Sequence, residues 1–182
     1  MNDATAKTCR FLFAGQGVQR KGLHHLLKAW RTRRPDRSEL TIVASRMDPG
    51  IAPLLEQPNV NYFSWVSDDT LKKLFEESDV FVMPSLVEGF GLVFGEALSA
   101  GLFCIGTTNT GLADFELNED EAKILEVCEL TKYTLDLSDA LNEVADMFPR
   151  SKIKKTSLAR FREKFTWASH RKGIREFIAN ND

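Results

Sequence analysis

A chain of 182 residues, 43% hydrophobic and 27% charged, has the length and composition of one soluble globular domain with a real core. Its formal net charge of -2 carries no overall nucleic-acid signature, so no nucleic-acid partner is expected. Three cysteines at irregular spacing (Cys9, Cys104, Cys128) read as reduced, partly buried thiols, not as a disulfide framework or a metal site.

In chain order, RFLFAG (10–15) reads as a strand ending in glycine. KGLHHLLKAW (21–30) follows as a helix whose Leu23, Leu26, Leu27 and Trp30 form one apolar stripe. LTIVAS (40–45) and VNYFSWV (60–66) are the second and third strands. SDDTLKKLFEES (67–78) is a helix opened by a capping Ser or Asp and burying Leu71, Leu74 and Phe75. DVFVMP (79–84) is a fourth strand, apolar enough to be covered on both faces. GLVFGEALSAG (91–101) is a helix with Phe94, Ala97 and Leu98 inward and Gly101 as C-cap. LFCIG (102–106) and AKILEV (122–127) complete the strands, and TLDLSDALNEVADMF, SLARFREKF and SHRKGIREFIAN are helical.

Strands alternating with helices at this interval predict an α/β fold: a single Rossmann-like, doubly wound parallel sheet of about six strands with helices on both faces. No repeat or low-complexity linker divides it, so residues 1–182 form one domain, with a flexible N-terminus over about 1–9 and C-terminal helices over about 151–182. MNDATAKTCR lacks the apolar core of a signal peptide and no run approaches the ~18 apolar residues of a membrane span, so the expected location is cytoplasmic. Acidic residues crowd the stretch Asp114–Asp146, while Lys and Arg crowd Arg150–Arg175. These are two solvated helical faces, or else the basic stretch meets an anionic membrane surface or an acidic partner and holds the protein there peripherally.

Ligands of doubly wound sheets bind beyond the carboxyl ends of the strands. Two loops there are chemically loaded. GQGVQRKG, after the first strand, brings Gly15 and Gly17, which let backbone N–H groups approach a ligand, and then Arg20 and Lys21 at a helix start, where a phosphate would be neutralised. The same residues would also serve as a plain turn with two solvated cations, since the loop is neither a dinucleotide fingerprint nor a P-loop. PSLVEGFG, after the fourth strand, sets Glu88 in a turn, and Phe90, Gly91 and Leu92 offer amides at a helix N-terminus. Glu96 follows on the helix, off its inner stripe, so both carboxylates can face one cleft. Carboxylates bind neighbouring hydroxyls and the amides bind phosphate, which suits a nucleoside-diphosphate sugar: ribose, diphosphate, sugar. Hydrolysis by paired carboxylates is the competing use.

EGFGLVFGEALSAG, with RKG after the first strand, VSDDTLKKLFEESDVFVMPS before the motif and FTWASHRKGIREFI near the end, resembles the retaining glycosyltransferases of the B-type fold. This is the large group 1 family, marked by Glu-x7-Glu, here Glu88 to Glu96, and the resemblance runs from about Phe11 to Ile178. It implies that the chain is the C-terminal, donor-binding half of such an enzyme. Arg20 and Lys21 would contact the donor diphosphate and stabilise the leaving nucleotide. Glu88 would meet hydroxyls of the sugar, the amides of Phe90, Gly91 and Leu92 would hold phosphate and sugar, and Glu96 would bind the ribose. The backbone around Trp65 and Val66 would lie where the family reads the nucleobase. Neither a metal nor a cofactor is implied, since there is no Asp-x-Asp motif and the donor is a substrate. Polysaccharide or glycoconjugate synthesis is the implied setting.

The departures are Gln16 where the family often has Arg, Phe103-Cys104 in place of its proline, Thr110 in place of the first glycine of a pair, and Asp114 for Glu. The resemblance also implies an N-terminal acceptor domain missing from this chain, either excised or supplied by a partner chain. One half would bind a nucleotide weakly and turn nothing over. The alternatives are a degenerate, non-catalytic binding or interaction module of the same fold, or another enzyme of similar architecture such as a nucleotide-sugar epimerase or a phosphorylase. His24 and His25 point about 100° apart on a helix and do not suit a shared metal. His170 reads as solvated, Trp30 as core and Trp167 as an anchor of the closing helix, whose Ile174, Phe177 and Ile178 would be loosely packed.

Overall fold

Six strands and four α-helices alternate through the part of the chain that the computed structural model describes, residues 8–89 and 91–147. The strands are β1 (Cys9–Gln16), β2 (Ser38–Ser45), β3 (Val60–Phe63), β4 (Val80–Val82), β5 (Phe103–Thr107) and β6 (Ala122–Leu125). The helices are α1 (Leu23–Thr32), α2 (Asp68–Glu77), α3 (Leu92–Ala100) and α4 (Leu130–Met147). Every pairing is parallel and the order is β3-β2-β1-β4-β5-β6. This is the expected Rossmann-like sheet, and it reverses direction between β1 and β4. The C-terminal helices expected over about 151–182, with Trp167, His170, Ile174, Phe177 and Ile178, lie outside the described residues, as do residues 1–7.

Two layers of helix cover the sheet. On one face α1 packs on α4, and Phe11 of β1 meets Trp30 of α1 edge to face at 5.5 Å. On the other, Phe81 of β4 meets Phe94 of α3 at 5.6 Å and Phe75 of α2 at 5.7 Å. Leu12 pairs in register with Phe81 and Phe11 with Val80, so successive residues of one strand serve opposite layers. Burial on both faces explains why β1, β4 and β5 are nearly continuous apolar runs. Cys9 and Cys104 sit in this core, and burial pushes the Cys104 thiol far above the usual range. Phe103 and Cys104, which depart from the family pattern, are core residues of β5.

The stripe of Leu23, Leu26, Leu27 and Trp30 is fully buried, as are Phe94, Ala97 and Leu98. Gly101 closes α3 in the left-handed region at φ 91°, and Ser67 caps α2 by accepting from the Thr70 N–H. Two boundaries differ from expectation by three residues or more. β3 stops at Phe63 rather than Val66: it is an edge strand held only by β2, and Ser64 to Val66 leave the sheet. α4 begins four residues before Thr134, because the Glu129 carboxylate accepts from the Thr131 and Lys132 N–H groups at 3.0 and 2.9 Å. Glutamate is not among the usual capping residues, so the sequence carried no start signal there. Among the described residues no helix is long and apolar enough to cross a membrane.

One contact joins the β1 and β4 loops rigidly. Gly22 has φ +71°, and a Cβ placed on it would lie 1.8 Å from the Pro84 carbonyl oxygen. The Gly22→Ala variant combines left-handed strain with that overlap and is expected to lose about 2–4 kcal/mol. Thermal unfolding should fall by roughly 5–15 °C, and an unchanged midpoint would refute the packing argument.

His25 on α1 is buried, with Nδ1 2.7 Å from Thr134 Oγ1 and the Tyr133 ring edge-on at 5.2 Å. Burial, then His24 and Lys28, lower its pKa to about 4. The unfolded chain therefore takes up a proton near pH 6.5 that the fold refuses. Stability is complete above about pH 6.5 and declines as the pH falls towards 4. The unfolding midpoint should drop between pH 7 and pH 5, and drop less in His25→Gln; equal slopes would absolve His25.

Candidate functional site

Because β1 and β4 are neighbours, the loops that follow them open into one crevice at the carboxyl edge of the sheet. A short 3-10 turn, Gln19–Lys21, leads from β1 into α1, and its backbone is tied across the crevice: the Leu86 N–H donates to the Arg20 carbonyl at 2.8 Å. The β4 loop is also tied to the loop after β5. The Glu88 N–H donates to Asn109 O at 3.1 Å, Asn109 Nδ2 donates to Leu86 O at 2.9 Å, and the Gly111 N–H donates to Gly89 O at 3.1 Å. Thr110, another departure from the family pattern, caps the next turn by accepting from the Leu112 N–H. Glu88 is therefore presented from a turn fixed on both sides.

The crevice is an open cleft of about 680 Å³, within the size range of small-molecule sites. Gly15 forms its floor with Ala14, Val43 and Ser45 at the ends of β1 and β2. Lys21 and Glu88 stand at one side, and the start of α3 brings Gly91, Leu92 and Val93. Ser64, Trp65 and Val66 form the far lip with Asp68 and Leu71 of α2. Trp65 is 77% exposed, a large aromatic face with no packing role in the core.

α3 has no side-chain cap, and its N-cap Gly91 adopts φ 64°. Its first-turn amides and the positive end of its dipole thus face the cleft where Leu92 and Val93 line it. The cations stand close by, since a Cβ placed on the N-cap Gly91 would lie 3.7 Å from Glu88 Cγ. Lys21 Nζ contacts Glu88 Oε2, and Arg20 Nη1 lies 3.4 Å from the same oxygen. Burial, and then the neighbouring Arg20 guanidinium, hold the Lys21 ammonium below its usual range. The site thus gathers two cations and a helix N-terminus around Glu88, with Asp68 at the far lip.

The residues singled out from the sequence distribute unevenly. Gly15, Lys21, Trp65, Val66, Glu88, Gly91 and Leu92 come together in the cleft lining. Arg20 is at the rim, reaching in only through Glu88. Gly17 is buried and its N–H donates to Ser45 O at 2.8 Å, which leaves no amide there for a ligand. Glu96 is exposed on α3, one turn past Leu92 and outside the lining; partial desolvation raises its pKa. Phe90 lies outside the described residues. Sequence reasoning missed Ser45, Ser64 and Asp68, which no motif marks; their signal was only their place at strand ends and a helix start. Among the described residues no group of His, Cys, Asp or Glu is arranged to hold a metal.

Comparison with known proteins agrees with this fold. A 41.2 kDa protein encoded in the cps region of Klebsiella pneumoniae is 26% identical over 166 residues, covering 86% of this chain and 46% of the relative. A glycosyltransferase of Methanocaldococcus jannaschii is 32% identical over 114 residues, 59% of this chain and 29% of the relative. The pneumococcal O-GlcNAc transferase GtfA, solved with UDP and GlcNAc, superposes with a TM-score of 0.77 at 15% identity, over 98% of this chain and 37% of that one. The chain spans less than half the length of the curated relatives it matches. The family model described as "Glycosyl transferases group 1" matches residues 8–144, and the chain belongs to that family.

Proposed function

We propose that the cleft is the donor site of a retaining, metal-independent glycosyltransferase and binds a nucleoside-diphosphate sugar. The observation that carries this reading is that Lys21, with Arg20 beside it on Glu88, and the uncapped N-terminus of α3 border one cleft. That arrangement fits a diphosphate, which can take cations and helix amides together. As the bond from the sugar carbon to phosphate oxygen breaks, negative charge grows on the leaving diphosphate, and the cations are already placed to receive it. Glu88 accepts hydrogen bonds from hydroxyls of the sugar, Trp65 and Val66 flank the nucleobase, and Glu96 binds ribose hydroxyls. No cofactor takes part. The acceptor binds to a second domain beyond these residues, and the residues in hand by themselves bind donor but transfer nothing. The basic stretch Arg150–Arg175, outside the described residues, would hold the enzyme at an anionic membrane surface.

A second reading, a non-catalytic module of the same fold, is favoured by the exposed place of Glu96 outside the cleft lining and by Gln16 where a cation would help. Calorimetric titration with UDP, GDP and ADP separates the two. The donor reading expects one preferred nucleotide and a loss of about tenfold or more on Lys21→Ala. No binding by a folded sample would favour the second reading.

The role of Glu96 has its own test. Its carboxylate must be ionised to accept from two ribose hydroxyls, and its raised pKa brings protonation into a higher range than usual for a carboxylate. Affinity for the preferred nucleotide should weaken as the pH falls through that range, and the 2′-deoxy nucleotide should bind about tenfold less tightly at neutral pH. Both effects should vanish in Glu96→Ala; if they persist there, the ribose is held elsewhere.

A further inference from the structure

Lys21 and Arg20 already have an anionic partner within the chain. One oxygen of Glu88, Oε2, contacts Lys21 Nζ and lies 3.4 Å from Arg20 Nη1, while its other oxygen accepts from the Gly89 N–H at 3.2 Å. The Lys21 and Glu88 side chains are only 13% and 14% exposed, so water screens this pair poorly. The backbone of Glu88 is pinned to Asn109, which leaves the carboxylate free to swing only about its own side-chain torsions. A diphosphate that enters the cleft meets the two cations already paired with Glu88.

We infer that Glu88 competes with the diphosphate for Lys21 and Arg20, and thereby sets the preference of the cleft for a sugar-bearing donor over the spent nucleoside diphosphate. The inference rests on the reading of the cleft as a donor site. Displaced from its cations, Glu88 is a half-enclosed carboxylate beside the negative charge of the phosphates, an unfavourable state unless it finds new donors. A sugar on the second phosphate supplies them, because its hydroxyls donate to carboxylate oxygens. A bare nucleoside diphosphate supplies none. The same carboxylate thus opposes the product fully and the donor only in part. After transfer, the loss of the sugar hydroxyls returns Glu88 to Lys21 and Arg20 and helps to expel the nucleotide. Glu88 is in this sense a specificity-determining residue as well as a contact for the sugar.

The test is calorimetric titration of the chain with three pairs: UDP and UDP-glucose, GDP and GDP-mannose, ADP and ADP-glucose. Wild type, Glu88→Gln, Glu88→Ala and Lys21→Ala are compared, each shown to be folded by circular dichroism. Removing the charge should tighten the bare nucleotide by about tenfold in both Glu88 variants. The sugar nucleotide should bind no more tightly than to wild type, so the preference for it shrinks or inverts. A nucleotide that binds Glu88→Gln and not wild type would support the inference equally. Unchanged or weaker nucleotide binding in both Glu88 variants overturns it. If Lys21→Ala abolishes binding while the Glu88 variants fail to tighten it, only the competition is wrong. If nucleotide binding is indifferent to Lys21→Ala, or absent from every variant, the donor-site reading falls and the inference falls with it.

Discussion

The carbonyl oxygen of Pro84 is the point on which the cleft depends. It accepts a hydrogen bond from the buried Tyr133 hydroxyl at 2.9 Å, and Gly22 approaches it so closely that no side chain fits between. One oxygen thereby joins the end of β4, the start of α1 and the first turns of α4. β4 ends at Val82, and the proline two residues on, which has no N–H to donate, opens the loop that carries Glu88. Burial pushes the Tyr133 hydroxyl pKa well above its usual range, which keeps it a proton donor to that carbonyl. The short distance between Lys21 and Glu88 follows from this junction, not from any attraction between their charges alone.

Around that junction the electrostatics are simple. Three positive features converge on the cleft: a half-buried ammonium, a guanidinium at the rim, and the N-terminus of α3. Glu88 is the one carboxylate placed between the two cations. Its backbone is pinned by the loop after β5, and its side chain, 14% exposed, is largely covered where it meets Lys21. The opposite lip is built differently. Trp65 stands in the segment that leaves the sheet after the edge strand β3, and its exposed aromatic face is available to a flat ring.

Much of the fold was legible because the sheet is covered on both sides. Strands such as β4 and β5 must then be apolar throughout, and helices must carry one stripe, and both patterns are local. Boundaries were legible where the capping residue was of a usual kind, as with Ser67 and Gly101, and illegible where Glu129 did that work. Site membership was legible for the loop residues that carry charge. It was less so for Gly17, whose amide goes to Ser45, and for Glu96, whose helix turns it outside the cleft lining. Both depend on neighbours distant in the chain.

The sequence by itself determined the alternation of strand and helix, the apolar faces, and the family, because each is written in the spacing and identity of residues close together. Only the tertiary structure decided that β1 lies beside β4, since strand order arises from pairing between segments about 70 residues apart. That pairing puts Lys21 against Glu88, 67 positions later. The local pattern prescribes each loop, and the crevice between them exists only once the sheet has chosen its order.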